Sequence, residues 1–260
     1  MAENLNMVSA LVVIHNEEKQ LNPCLEGLKF ADEIVVVLDR CSDGSRDIAV
    51  EFGCKLLEGA WELEGDRRNK GIENCLGAWV LEVDADERVS SDLAQEICDV
   101  TRASSADWHD VPVDNYLGER LIRFGWGASF GRGAHEALFR KGAKYWGPER
   151  VHPKLTFKGS KGDRLRSPIT HYVDRDISGL IRKLDAYSTA HAQDLRDSGA
   201  IGSFGHNVRR IFSRFYKCYV ARKGYREGPH GFLIALLAGM YPILSYLKAR
   251  LETGPESGNG

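Results

Sequence analysis

Residues 8–14 (VSALVVI) form an unbroken apolar run rich in β-branched positions, the pattern of a strand buried on both faces of a parallel sheet. Within 17–29 the apolar positions Leu21, Leu25 and Leu28 recur at helical spacing. EIVVVLD (33–39) predicts a second buried strand, and SDGSRDIAVEFG (42–53) a capped helix closed by Gly53. CKLLEG (54–59) reads as a third strand, 65–77 as a helix ending at a glycine, and WVLEVD (79–84) as a fourth strand. Ser90 is placed to cap a helix over 91–103. Strands alternating with helices in this way predict a right-handed βαβ series, an open and mostly parallel α/β sheet with helices on both faces.

The rhythm changes after residue 107. Residues 108–175 carry short strand-like pieces, WHDVPVDNYL, ERLIRF, HEALFR and KLTFKG, among Gly, Trp, Arg and His, which predicts hairpins. Residues 180–199 read as an amphipathic helix ending at Gly199. From Ser203 to Arg226 there are seven Lys and Arg and no acidic residue, interleaved with Phe and Tyr. Residues 231–247 are then uninterruptedly apolar apart from small and ring residues, including Pro242. That run sits at the lower limit for spanning a bilayer. A basic aromatic helix before an apolar one fits docking on an anionic membrane surface; a core helix, a solvated face or a nucleic-acid patch would share the pattern. The expected organisation is a domain over 1–202, split into 1–106 and 107–202, followed by C-terminal helices over 203–260.

Composition narrows the class. At 43% hydrophobic and 28% charged residues over 260 positions, the chain is globular rather than disordered. A net charge of −2 is no global signature of nucleic-acid binding, and no nucleic-acid partner is expected. The polar start MAENLNMV reads as neither signal nor transit peptide. Six cysteines without a CxxC pair or zinc spacing read as reduced thiols of a cytoplasmic protein.

Ligands of open α/β sheets sit outside the carboxyl ends of the strands. His15-Asn16-Glu17, Asp39-Arg40 and Asp84-Ala85-Asp86-Glu87 all fall there, so three polar clusters are expected to converge on one crevice. Two carboxylates a few ångströms apart repel by about 4 kcal/mol at an effective dielectric of 20. A solvated turn tolerates this; in a crevice, a shared proton or a divalent cation relieves it, and oxygen ligands suit Mg²⁺ or Mn²⁺. An EF-hand loop is excluded, because Arg88 and Val89 stand at its fifth and sixth positions. Glu82 interrupts an apolar strand and calls for a partner that the sequence does not name.

VVIHNEE, EIVVVLDRCSDGSRDIA and DRRNKGIENCLGAWVLEVDADERVSSDL together resemble the family 2 inverting glycosyltransferases of GT-A, Rossmann-like fold. VHPKLTFKG, SPITHYVDRDISGLIRKLDAYS and KGYREGPHGFLIALLAGMYPILSYLK are similar, more narrowly, to the bacterial lipopolysaccharide-core branch of that family. The resemblance implies a nucleotide-half followed by a smaller, hairpin-rich acceptor half. It implies that Asn16 and Glu17 border the nucleotide and that Asp39 accepts a hydrogen bond from the base, typically uracil; an N-cap for the following helix is the other use for Asp39. Arg68 and Asn69 would lie in the segment against the nucleotide-sugar. Asp84 would touch ribose or the sugar ring, and Asp86 would bind the metal that holds the donor diphosphate, with His171 recruited to metal or diphosphate or else bonded to backbone.

A single displacement with inversion needs a base for the acceptor hydroxyl and charge to hold the leaving diphosphate. Members of this branch carry Val-His-Glu where this chain has Val151-His152-Pro153, so the carboxylate of that position is missing. His152 is the first candidate base, since an imidazole titrates near neutrality; Glu149 and Glu136 are the others. Arg140 and Arg150 are candidate phosphate contacts. The implied activity is sugar transfer from a nucleotide-sugar, UDP-linked, to a lipopolysaccharide-core or other lipid-linked glycan, by a peripheral protein on the inner face of the cytoplasmic membrane. A nucleotidyltransferase would open on a Gly-rich basic loop, which IHNEEKQ lacks. An inactive sugar-nucleotide-binding scaffold is the non-enzymatic alternative that the missing Glu keeps open.

Overall fold

The computed structural model describes residues 6–127, 131–149 and 153–252. The chain forms two compact units, 1–114 with 134–171 and 115–133 with 172–260. These units do not follow the sequence boundaries at 106 and 202. The chain passes between them three times, twice within strands, and a pattern read along the chain cannot show such interleaving.

In the first unit, β1 (Val8–Ile14), β2 (Glu33–Asp39), β3 (Lys55–Gly59) and β4 (Trp79–Val83) are parallel, in the order β3-β2-β1-β4. Every residue of β1 is buried, because helices cover both of its faces. Ala10, Val12 and Ile14 pack with Leu21 and Leu25 of α1 (Glu18–Glu26) and with Leu93 and Ile97 of α4 (Ser91–Ala103). Leu11 and Val13 point the other way, into a cluster with Ile72 of α3 (Glu64–Asn74). Alternation of side chains across the pleat therefore serves two cores. The α/β expectation is met, with β1, β2 and β4 within a residue of their predicted bounds.

α2 (Ser45–Glu51) begins three residues later than expected. Ser42 and Asp43 bond to the loop after β1 instead: Ser42 N donates to Asn16 Oδ1 (2.7 Å) and Glu18 N to Asp43 Oδ2 (3.0 Å). α3 stops at Asn74, short of Gly77, whose N–H is taken by Ser9 Oγ. α4 starts as predicted, with Ser90 Oγ accepting from Leu93 N.

The sheet continues in antiparallel fashion. β4 pairs with β8 (Ala134–Arg140), and β8 with β6 (Trp108–Leu117). β9 (Lys144–Trp146) and β10 (Leu155–Phe157) make a separate hairpin. β5 (Glu87–Arg88) pairs with β11 (Ile169–Asp174), which sets Glu87 opposite His171.

The second unit holds β7 (Arg120–Ile122) against the end of β6, then α5 (Ile177–Ser198), α6 (Phe204–Tyr216) and α7 (Pro229–Leu251). Asp176 caps α5, and Gly199 ends it in the left-handed conformation (φ 67°). A π turn (Lys217–Ala221) and a 3₁₀ turn (Gly224–Glu227) join α6 to α7. By length and composition α7 could cross a membrane, but 61% of its apolar window is buried inside the protein. Ile234, Leu237 and Tyr241 pack with Leu180 and Leu184 of α5, so its apolar character serves this unit's core.

Candidate active site

Two residues of the first unit adopt positive φ without being glycine, Asn16 (57°) after β1 and Arg40 (51°) after β2. Such conformations cost on the order of 1–3 kcal/mol each and persist where surroundings enforce them. Here side chains do so. Asn16 Oδ1 accepts from Ser42 N, His15 Nδ1 donates to the Asp39 carbonyl (2.6 Å), and Glu17 N donates to Ser45 Oγ (3.0 Å). The first two polar clusters are thereby tied together at the carboxyl edge of the sheet.

Asp39 is 1% exposed and carries four hydrogen bonds. Oδ1 accepts from Arg40 Nε and Trp61 N (both 3.1 Å), and Oδ2 from Arg40 Nη2 (3.1 Å) and Arg67 Nη1 (2.9 Å). That fills the acceptor capacity of a carboxylate. Burial works against its charge, but the bonds from Arg40 and Trp61 and the charge of Arg67 hold its pKa below the usual carboxylate range. It is not an N-cap: that position of α2 belongs to Gly44.

The acidic turn after β4 is built from within. Asp84 N donates to Glu87 Oε2 (3.0 Å) and Glu87 N to Asp84 O (2.9 Å), with Glu87 buried. His135 Nε2 lies 3.4 Å from the other oxygen of Glu87, and both residues are buried. Arg68 of α3 donates through Nε to Glu64 (2.9 Å), through Nη1 to Glu82 (2.8 Å) and through Nη2 to Asp84 (2.9 Å). Its guanidinium also lies over the Trp146 ring, 4.7 Å from the centroid. Glu82 thus has its partners: besides Arg68, its Oε2 accepts from Lys144 Nζ (2.6 Å) and Trp146 Nε1 (3.3 Å). Burial alone would raise the Glu82 carboxyl, but Lys144 and Arg68 reverse this and draw its pKa down to about 2.

Asp86 faces β11, where its Oδ2 lies 3.4 Å from His171 Nε2. Burial disfavours the charged imidazole, yet Asp86, with Glu87 and Asp84 behind it, holds the His171 pKa above its ordinary value. Among the described residues, no group of three or more His, Cys, Asp and Glu side chains is arranged to hold a metal ion. One carboxylate and one imidazole within 3.4 Å still fit a hard cation that keeps waters and takes its remaining oxygens from a diphosphate. Asp84, already paired with Arg68, is the less suited of the two aspartates.

Other expected residues lie elsewhere. Asn69 spends its amide on the backbone of Trp146, accepting from N (3.0 Å) and donating to O (2.9 Å). Arg140 donates to the carbonyls of Ala106 and Ser104 and covers the Trp79 ring, so its guanidinium serves the packing of the sheet. Glu149 Oε2 accepts from Lys154 N (3.0 Å) within the β9–β10 turn. His152 and Arg150 lie outside the described residues. Lys144 and Trp146 escaped the sequence reading; the lone carboxylate in β4 was the signal that a buried cation had to exist.

The family model described as Glycosyl transferase family 2 matches residues 9–187. The chain is 24% identical to the lipopolysaccharide core biosynthesis glycosyltransferase LpsC of Rhizobium meliloti, over 93% of this chain and 91% of that one. An uncharacterized glycosyltransferase of Rickettsia felis is 22% identical over 95% and 90% of the two chains. Among solved structures, S. aureus TarS 1–349 in complex with UDP matches with a TM-score of 0.49 at 13% identity, covering 94% of this chain and 90% of that one. With its family model matched over well over half its length, on a sheet whose carboxyl edge carries the acidic turn, the chain belongs to glycosyl transferase family 2.

Proposed function

We propose that the protein is an inverting glycosyltransferase that moves a sugar from a UDP-linked donor to a lipopolysaccharide-core or other lipid-linked glycan. The observation that carries this reading is the division between the two aspartates after β4. Asp84 is paired with Arg68, whereas Asp86 faces His171. Held in place by that pairing, Asp84 suits hydroxyl groups of ribose or sugar. Asp86 and His171 would hold Mg²⁺ or Mn²⁺, which when bound supplies positive charge against the leaving diphosphate. The name of the relative LpsC supports the lipopolysaccharide class of acceptor.

Asn16 and Glu17 border the nucleotide in this reading. Asp39 accepts from the base only by releasing Arg40, whose side chain is 54% exposed and able to move. Asn69 and Arg68 act by holding β9 and Asp84. His152 takes the proton of the acceptor hydroxyl while the oxygen attacks the anomeric carbon and the bond to diphosphate breaks, which inverts that centre. The second unit meets the membrane: Phe212, Tyr216 and Tyr225 are exposed among Lys217, Arg222 and Lys223, complementing an anionic leaflet at the inner face of the cytoplasmic membrane.

Calorimetry of UDP binding with and without Mn²⁺ tests the proposal. Tight binding should require the metal, and Asp86→Asn should remove that requirement together with the affinity; metal-independent binding unchanged in Asp86→Asn overturns the assignment. His152→Ala should leave UDP binding intact and abolish transfer, and undiminished transfer would place the base elsewhere.

A further inference from the structure

Lys144 is 2% exposed, and a buried ammonium costs several kcal/mol unless its charge and protons are met. They are met: Nζ donates to Glu82 Oε2 (2.6 Å) and to the Glu136 carbonyl (3.0 Å), and lies 4.8 Å from the Trp146 ring centroid and 5.0 Å from that of Phe139. Buried ion pairs are often replaceable by apolar groups without loss of stability, so fold alone does not explain one. The chain of contacts suggests another use. Glu82 cannot turn, because Lys144 and Trp146 hold one oxygen while Arg68 takes the other. Arg68 cannot turn either, with Glu64, Glu82 and Asp84 on its three donor directions and Trp146 against its face.

The charges point the same way. Two cations, Lys144 and Arg68, face three carboxylates, Glu64, Glu82 and Asp84. Lys144 neutralises Glu82, which leaves the charge of Arg68 for the two partly exposed carboxylates. Without Lys144, Glu82 would compete for Arg68 with full charge in the driest part of the cluster, where attraction is strongest. Asp84 would then lose its fixed partner.

We infer that Lys144 is a positioning residue which, through Glu82 and Arg68, sets the orientation and charge of the Asp84 carboxylate for the donor. The inference rests on the donor-binding reading of Asp84 given above. A double-mutant cycle tests it, because residues without shared partners contribute additively and coupled ones do not. UDP-GlcNAc binding with Mn²⁺ is measured for wild type, Lys144→Met, Asp84→Asn and the double variant, with UDP alone alongside. Each single change should weaken binding about tenfold, as loss of a supporting contact commonly does, and the double variant should be no weaker than the weaker single. An unaffected Lys144→Met, or losses that multiply, would overturn the inference. If Lys144→Met does not fold, Lys144→Met/Glu82→Gln tests the same link from the other side: with Glu82 uncharged, Arg68 stays with Asp84 and UDP-GlcNAc binding should return to near the wild-type value, whereas a loss of about tenfold would overturn the inference. The NMR signal of the Arg68 Nε–H separates the two readings. It should be protected from exchange in wild type and lose protection in the variant. If wild type fails to bind UDP-GlcNAc, the donor reading falls and this signal alone decides: unchanged protection means that Lys144 does not fix Arg68.

Discussion

Glu82 is a carboxylate in the middle of a buried strand, and its energetics are set by two cations. Its folded pKa, about 2, lies below its ordinary value of 4.5. A depressed carboxylate stabilises the folded chain above the unfolded pKa and ceases to do so as the pH falls through the folded one. Thermal stability should therefore decline between pH 4.5 and 2, and Glu82→Gln should flatten part of that decline. At neutral pH the same substitution leaves Lys144 without its counter-charge and should cost about 3–5 kcal/mol, read as a lower Tm. A Glu82→Gln protein as stable as wild type at pH 7 would show that the pair contributes nothing. The anomaly of Glu82 was legible in WVLEVD, but its partner was not: Lys144 is sixty-two residues away in a three-residue strand, between Ala143 and Tyr145, too short for any periodicity to mark it as buried. Asp39 shows the same limit. Its place at a strand end was evident, while the saturation of its oxygens depends on Arg67 and Trp61, which only folding brings there.

Elements with long apolar runs were readable because burial on two faces leaves no room for polar residues. β1 and β2 illustrate this, and α4 was readable instead from its Ser90 cap; β5, two residues long, and its pairing with β11 offered no periodicity to detect. The juncture of α3 with β9 is the element-scale feature that holds the site. Asn69 clamps the Trp146 backbone, Arg68 stacks on its ring, and Gly65 meets the turn that follows. A Cβ at Gly65 would run into the Gly147 carbonyl. Gly65→Ala should push α3 from β9 and cost about 1–3 kcal/mol by overpacking, seen as a lower denaturation midpoint with weakened UDP binding. Equal stability would mean that the hairpin yields at no cost.

On the scale of the whole molecule, α7 shows how one pattern serves two ends. Its apolar sequence raised the possibility of a membrane, and its packing against α5 and α6 accounts for most of it. The exposed aromatic side chains of α6 and the basic turns after it carry the membrane proposal instead. Phe212→Ser/Tyr216→Ser leaves the buried face of α6 untouched and should abolish sedimentation with phosphatidylglycerol vesicles, with uncharged phosphatidylcholine vesicles as the control. Undiminished sedimentation with the anionic vesicles would refute the docking. Deleting everything after residue 202 is a poorer test, because it strips α5 of the helix that buries Leu180 and Leu184.

The pairing of β5 with β11 also bears on the order in which the chain matures. During synthesis the parallel strands and both aspartates emerge early, and local βα contacts can form as they do. His171, opposite Glu87, arrives some eighty residues later. A nascent chain paused before that point holds the acidic turn without its imidazole. The edge of the sheet that carries the acidic turn is therefore among the first parts made and among the last to be finished.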